Sequence, residues 1–233
     1  YVGIAARPND SQTARVTSTG ESTIEIDLSR AQEIADPKWS NYLRGVIRGF
    51  QDLEYKLPGF DASIVSSVPL GAGLSSSAAL ECAFATLLED LVDTVLPKAA
   101  KAFLAQKAEH DFAGVPCGIM DQFASTFGME DQLILIDCRT SEPEMVPFSD
   151  PSISIIVANT KVSHDLSDGG YRTRRKETEE GLALAGKESW RDVTMEDVYA
   201  AREKMGDRIF RRSRHVVTSY SKAYALDMAS KQE

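Results

Sequence analysis

The first thirty residues change between apolar and polar at short intervals, which predicts β-structure. Tyr1 to Arg7, Ala14 to Thr19 and Thr23 to Leu28 are β-prone runs, separated by Pro8-Asn9-Asp10 and by Gly20. The period then lengthens. After Asp36-Pro37 the apolar positions Trp39, Leu43, Val46, Ile47 and Phe50 fall on one side of a helix. Gly59 to Val68 returns to alternation, with Ala62, Ile64 and Ser66 on one face of a strand. Pro69 through Ser77 interrupts the pattern and leads into a helix striped by Leu80, Phe84, Leu87, Leu88 and Leu91, closed by Pro97. A further helix is expected from Lys98 to Phe112, where Leu104, Ala108 and Phe112 recur every four residues. Gly114 and Pro116 end it, and a short helix follows over Ile119 to Phe127. Leu133 to Ile136 and Ile153 to Ala158 have the composition of buried strands, and from Tyr171 onward the chain is charged and mainly helical.

Strands first and mixed elements afterwards predict an α+β fold rather than a doubly wound parallel sheet. Glu142 to Pro151 is expected to be a polar loop, since it holds three prolines. A lobe boundary placed there gives an N-terminal lobe of residues 1–150 and a C-terminal part of residues 151–233.

The 233 residues, 42% hydrophobic and 26% charged, are enough for a large buried core. No apolar run nears the roughly 20 residues that a membrane-spanning helix needs. Tyr1-Val2-Gly3 does not open a secretory signal. Cys82, Cys117 and Cys138 are odd in number and lack C-x-x-C spacing, so reduced thiols in a cytoplasm are expected. A net charge of −9 argues against a nucleic-acid surface, though a local phosphate site built from backbone amides would survive it. His110 and His215 have no ligand spacing around them, and His164 has no nucleophile motif nearby.

Four segments could carry chemistry. In Gly71-Ala72-Gly73-Leu74-Ser75-Ser76-Ser77 the glycines permit sharp turns and close approach, and the serines stand where a helix begins. Free amides and the helix dipole would then point at one place, as a polyphosphate requires. The segment is neither a Walker A loop nor a dinucleotide fingerprint. A serine-capped helix after a glycine turn remains the plain alternative. Asp121 stands among Ile119, Met120 and Phe123, where a carboxylate could accept or orient a hydroxyl proton; an ordinary first-turn helix acid is the alternative. Glu109 could join Ser77 in offering two protein oxygens to Mg²⁺, although surface glutamates on helices are common. Tyr171, beside Gly169-Gly170, could touch a sugar hydroxyl or simply start a solvated helix.

Together these segments resemble the galactokinase branch of the small-molecule kinases that also include homoserine, mevalonate and phosphomevalonate kinases (the GHMP kinases). The loop from Pro69 to Ala78 is similar to the family's phosphate-binding motif, and Cys117 to Phe123 to the stretch that bears its catalytic Asp. Trp39 to Val46, Tyr171 with Arg174-Arg175, and Phe210 to Val217 add to the likeness. The resemblance implies a two-lobed fold with mixed and antiparallel sheets, packed helices and an active site between the lobes. It implies ATP binding by Gly71 to Ser77, Mg²⁺ ligation by Ser77 and Glu109, catalysis and substrate contact by Asp121, and sugar contact by Tyr171. The implied reaction moves the γ-phosphoryl of MgATP to the 1-hydroxyl of galactose, in a cytoplasmic monomer with no nucleic-acid or membrane partner. The family's N-terminal G-R-x-N-L-I-G-E-H segment and its C-terminal glycine-rich motif are not in this sequence, so an incomplete chain is expected. A kinase for N-acetylgalactosamine or another sugar stays open, as does a sensor that binds galactose and ATP without turnover. The intact Ser75-Ser76-Ser77-Ala78 favours an enzyme over the sensor.

Overall fold

A computed structural model describes residues 1–69, 71–159 and 170–230, without the side chains of Tyr171 and of residues 220–230. The chain divides into two compact units, Tyr1–Asp165 and Leu166–Glu233.

The first unit is built on a four-stranded mixed sheet. Its strands are β1 (Val2–Pro8), β2 (Thr13–Ser18), β3 (Ile24–Asp27) and β4 (Phe60–Ser66), in the order β1-β4-β2-β3. β4 runs antiparallel to β1 and parallel to β2, while β2 and β3 are antiparallel. Val16 lies opposite Ala62 on one side and Ile24 on the other, so one face of the sheet is a continuous apolar floor. The alternation that predicted these strands has its cause here. Ala14, Val16, Ile24, Ile26, Phe60, Ala62 and Ile64 are buried, and the residues between them face outward.

Two helices, α1 (Ser40–Asp52) and α2 (Ser76–Leu91), share the core with the floor, and a third, α3 (Lys98–Ala108), packs against both. Leu43, Val46, Ile47 and Phe50 of α1 join Phe84, Ala85 and Leu88 of α2 in a single core, where the Phe60 and Phe84 rings meet at 6.1 Å. Fully burying each such side chain contributes about 1.5–3 kcal/mol. α1 crosses α3 very closely, because Gly45 lies against Ala108 and Gly49 against Leu104.

α3 does not continue as an α-helix to Phe112. It widens at Glu109–Ala113 into a π-helical turn, which Gly114 closes in the left-handed conformation with φ 71°. The four-residue repeat through Phe112 cannot show this, because an extra residue in one turn shifts the register without changing the composition. A short helix, α4 (Met120–Phe127), follows, packed on α2 and α3.

Two expectations need correction. Glu142 to Pro151 is not simply a polar loop: Glu142–Pro147 forms strand β6, antiparallel to β5 (Gln132–Asp137). Prolines are tolerated because this ribbon has two strands and thus two edges. Ile153 to Ala158 is not a buried strand. It has no regular secondary structure, and Ile155 and Ile156 are 70% and 87% exposed. A β-prone composition needs a neighbouring edge to become a strand, and no described strand pairs with this run.

The second unit is helical: α5 (Gly170–Leu184), a 3₁₀ turn at Trp190–Asp192, α6 (Met195–Ala200) and α7 (Arg202–Ser230), the last kinked at Gly206. Thr194 and Asp197 form a capping box at the start of α6. Val193, Val198, Met205, Phe210 and Val217 form the core. The buried Glu177 is held by Arg208 at 2.9 Å and Arg212 at 3.0 Å. Among the described residues, no helix is long and apolar enough to cross a membrane.

Candidate active site

The loop ahead of α2 is shaped by left-handed backbone. Gly71 and Gly73 have φ of 67° and 72°, and Ser75, directly before the helix, has φ 55° and ψ 46°. A helix-capping serine normally takes an extended backbone and accepts a hydrogen bond from the first turn. Ser75 has neither property, and no side chain caps α2. Ser75 therefore does not cap α2, and among the described residues no side chain takes the first-turn amides, which an outside acceptor could use. A Cβ on Gly73 would meet nothing within 4 Å, so the loop has room beside it.

Ser77, in the first turn of α2, turns its hydroxyl inward and donates to Glu109 Oε1 at 2.9 Å. Glu109 opens the π turn and is 2% exposed. Its other oxygen, Oε2, accepts from Gln122 Nε2 at 2.8 Å and from Cys117 Sγ at 3.4 Å. One carboxylate thus ties the start of α2 to the end of α3 and the start of α4. Cys117 is fixed in turn through its carbonyl, which bonds Gln106 Nε2 at 3.2 Å and His110 Nε2 at 2.8 Å. Burial, helped by the Glu109 charge and by the hydrogen bond to it, pushes the Cys117 thiol up to about 12, so it remains a donor.

Ser77 and Glu109 were expected to share a metal, and they are in contact. Their chemistry fits a hard cation, since both offer oxygen. Adjacent ligands in an octahedral shell with bonds of 2.0–2.1 Å stand about 2.9 Å apart. That matches the present separation of Ser77 Oγ and Glu109 Oε1. Among the described residues no group of three or more His, Cys, Asp or Glu is gathered around a possible ion. A cation here would need further oxygens from its ligand.

Asp121 lies in the first turn of α4, half-buried, next to the fully buried Gln122. Consecutive helix residues point about 100° apart, so the turn that sinks Gln122 toward Glu109 leaves Asp121 on another side. The candidate acid is thus one peptide away from a residue anchored to the candidate metal ligand. Tyr171 belongs to α5, in the other unit; its side chain, like Ser167, Asp168, Gly169 and His164, lies outside the described residues. Arg175 pairs with Glu179 at 2.9 Å.

Sequence reasoning missed Gln122, Cys117 and Glu81. Glu81 of α2 is fully buried, and neither of its carboxylate oxygens has a hydrogen-bond partner of proper geometry; the Gln122 Oε1 has none either. Burial and the nearby Glu109 charge hold the Glu81 carboxyl well above the usual range, and the adjacent Gln122 amide only partly opposes them. A signal was present in the sequence: Glu81 follows Ser77 by four residues and precedes Phe84 by three, so it shares their face.

A loop with uncapped helix-start amides, an oxygen pair spaced for a hard cation and an acid beside them are compatible with the needs of phosphoryl transfer. Residues 41–129 match the family model of the GHMP kinases N terminal domain. The chain resembles galactokinases. It is 48% identical to the galactokinase of Homo sapiens over 188 residues, 81% of this chain and 47% of that protein. It is 42% identical to that of Thermotoga neapolitana over 180 residues, 77% of this chain and 50% of that protein. The solved galactokinase of Lactococcus lactis, complexed with galactose, superposes with a TM-score of 0.86 at 30% identity, covering 99% of this chain and 62% of that one. This likeness bears out the α+β fold with mixed and antiparallel sheets. The chain spans about half the length of the curated relatives it matches.

Proposed function

We propose that the full-length protein to which these residues belong is a galactokinase, transferring the γ-phosphoryl of ATP to the 1-hydroxyl of galactose. The observation that carries the reading is the contact between Ser77 and Glu109, linked through Gln122 to the helix of Asp121. The likeness to galactokinases supports the choice of sugar.

In this reading the amides from Gly71 to Ser77, with the positive end of α2, hold the triphosphate. Ser77 and Glu109 would hold Mg²⁺, which when bound would supply positive charge to offset that of the transferred phosphoryl. Asp121 binds the acceptor hydroxyl, orients it and takes its proton as the new bond from that oxygen to the γ-phosphorus forms and the bond to the β,γ-bridging oxygen breaks, releasing ADP. Tyr171 is assigned to the sugar by resemblance. Positioning and electrostatics supply most of the rate in such transfers. The enzyme is taken to act as a cytoplasmic monomer on free galactose and MgATP.

Asp121→Asn in the full-length protein tests the assignment. It keeps the size and one acceptor oxygen but loses charge and basicity. kcat for galactose phosphorylation should fall by about 10²–10⁴-fold, with KM for ATP little changed. A folded variant with the parent kcat would refute the role, and a change confined to the galactose KM would make Asp121 a binding residue only.

A further inference from the structure

We propose that Gln122 is a positioning residue for metal binding: its side-chain amide fixes the Glu109 carboxylate so that one oxygen stays directed at the Ser77 hydroxyl. The proposal rests on the reading of Ser77 and Glu109 as the metal pair, and it assigns a task to a residue with no direct part in that chemistry.

A carboxylate on a free helix end can rotate, and each rotation changes which lone pairs are presented. Glu109 is held at both ends instead. Oε2 is engaged by Gln122 Nε2 at 2.8 Å, and Oε1 is left to Ser77 Oγ at 2.9 Å. The amide has only one productive orientation, because turning it over would set its carbonyl oxygen against the carboxylate. Gln122 has little freedom to move. Its side chain is fully buried, its backbone carbonyl accepts from Thr126 Oγ1 at 2.8 Å, and the Cys82 thiol of α2 approaches the same carbonyl at 3.9 Å. Among the described residues the amide oxygen has no partner of its own, and Nε2 has only a long contact to Cys117 Sγ at 3.7 Å besides Glu109, so the bond to Glu109 is the strong one that accounts for a buried polar side chain here. A residue wanted only for packing would be apolar in this place. Cys117 also reaches Oε2, but at 3.4 Å a thiol is the weaker of the two donors.

Supporting hydrogen bonds of this kind are worth about 10–100-fold in metal affinity. The experiment measures Mn²⁺ bound to the full-length protein with ADP, by electron paramagnetic resonance, so no turnover is involved. Gln122→Met keeps the length and removes the donor. Its Mn²⁺ half-saturation concentration should rise by about 10–100-fold, while ADP affinity measured in a chelator stays within about twofold. In a Glu109→Gln background the same substitution should add almost nothing, since the carboxylate it positions is gone. If Gln122→Met does not fold, Gln122→Asn carries the test with the same expectation, because its shorter amide no longer reaches. Lower thermal stability with unchanged Mn²⁺ affinity in a folded variant, while Glu109→Gln lowers that affinity, would overturn the positioning role alone. Unchanged Mn²⁺ affinity in Glu109→Gln would overturn the metal pair and this inference with it.

Discussion

Gly45 and Gly49 stand one turn apart on α1, and both face α3, so adding a methyl group to each compares two similar perturbations. A Cβ on Gly45 would lie 2.6 Å from Ala108 Cβ, 2.8 Å from its Cα and 3.0 Å from its carbonyl oxygen. Carbon atoms in comfortable contact are about 3.5–4.0 Å apart, so the two helices would have to part by roughly 1 Å. Two of the opposing atoms are backbone and cannot rotate away. Over-packing of this sort costs about 1–3 kcal/mol. Against it stand a helix-propensity gain of about 0.5–1 kcal/mol and the burial of one methyl, about 0.8 kcal/mol. A net loss of about 1–2 kcal/mol follows at the upper end of the packing cost, or more if α3 resists. For a protein of this size that lowers Tm by roughly 2–8 °C. A Cβ on Gly49 would also come within 2.6 Å of its neighbour, but there it meets only the tip of the Leu104 side chain, which can change rotamer. Gly49→Ala should therefore lie within about 1 kcal/mol of the parent, because the propensity gain offsets the rearrangement. Urea melts and thermal scans of both variants settle the matter. Equal stability of Gly45→Ala and Gly49→Ala would refute the claim that backbone contact with Ala108 sets the spacing of α1 and α3.

The remaining predictions concern the site. Glu81 has its folded pKa raised by burial and by Glu109, so the stability it contributes is complete below the ordinary glutamate value of 4.5 and is lost as pH rises through the folded value. Between those two values each pH unit costs up to about 1.4 kcal/mol, and Glu81→Gln removes that slope. Urea midpoints at about pH 5 and pH 8 should show the variant gaining on the parent at the higher pH; a difference independent of pH would mean that Glu81 ionises alike in both states. Gly73→Val fills open space and forces a branched residue into φ near 72°, at about 1–3 kcal/mol, so the protein should remain folded. Its calorimetric affinity for ATP should nonetheless fall by about tenfold or more, a loss of roughly 1.4 kcal/mol, and an unchanged affinity would remove the loop from nucleotide binding.

Much of this arrangement was legible in the sequence because burial on one face imposes a period. Val16, Ile24 and Ile64 alternate because one side of the sheet is covered, and Leu43, Val46, Ile47 and Phe50 recur because one side of α1 is. Ile153 to Ala158 has the same composition without the same surroundings, and composition alone could not distinguish the two. Glu142 to Pro147 misled in the other direction, since prolines and charges are compatible with an edge. Ser77, Glu109 and Asp121 stood out by residue type and motif. Gln122 did not, because its role depends on a contact between residues 13 apart that no periodicity encodes. The left-handed Ser75 was hidden for a related reason. Glycine advertises such a backbone and serine does not.

The widened turn at Glu109–Ala113 has a consequence for how this site can change over generations. A π turn is a helix that has taken in one residue beyond its regular count. Deleting one of the four residues after Glu109 would close the widened turn, which the Glu109 carbonyl holds by accepting from the Gly114 and Val115 amides. The loop that brings Cys117 and Gln122 back to the Glu109 carboxylate would then start from a different point, although each residue was still present. The spelling of Asp111, Phe112 and Ala113 is open to revision, because none of their side chains is fully buried. Their number is not. Insertions and deletions across this short stretch should be far rarer among functional descendants than substitutions, as in a text where the letters can vary but the line length cannot.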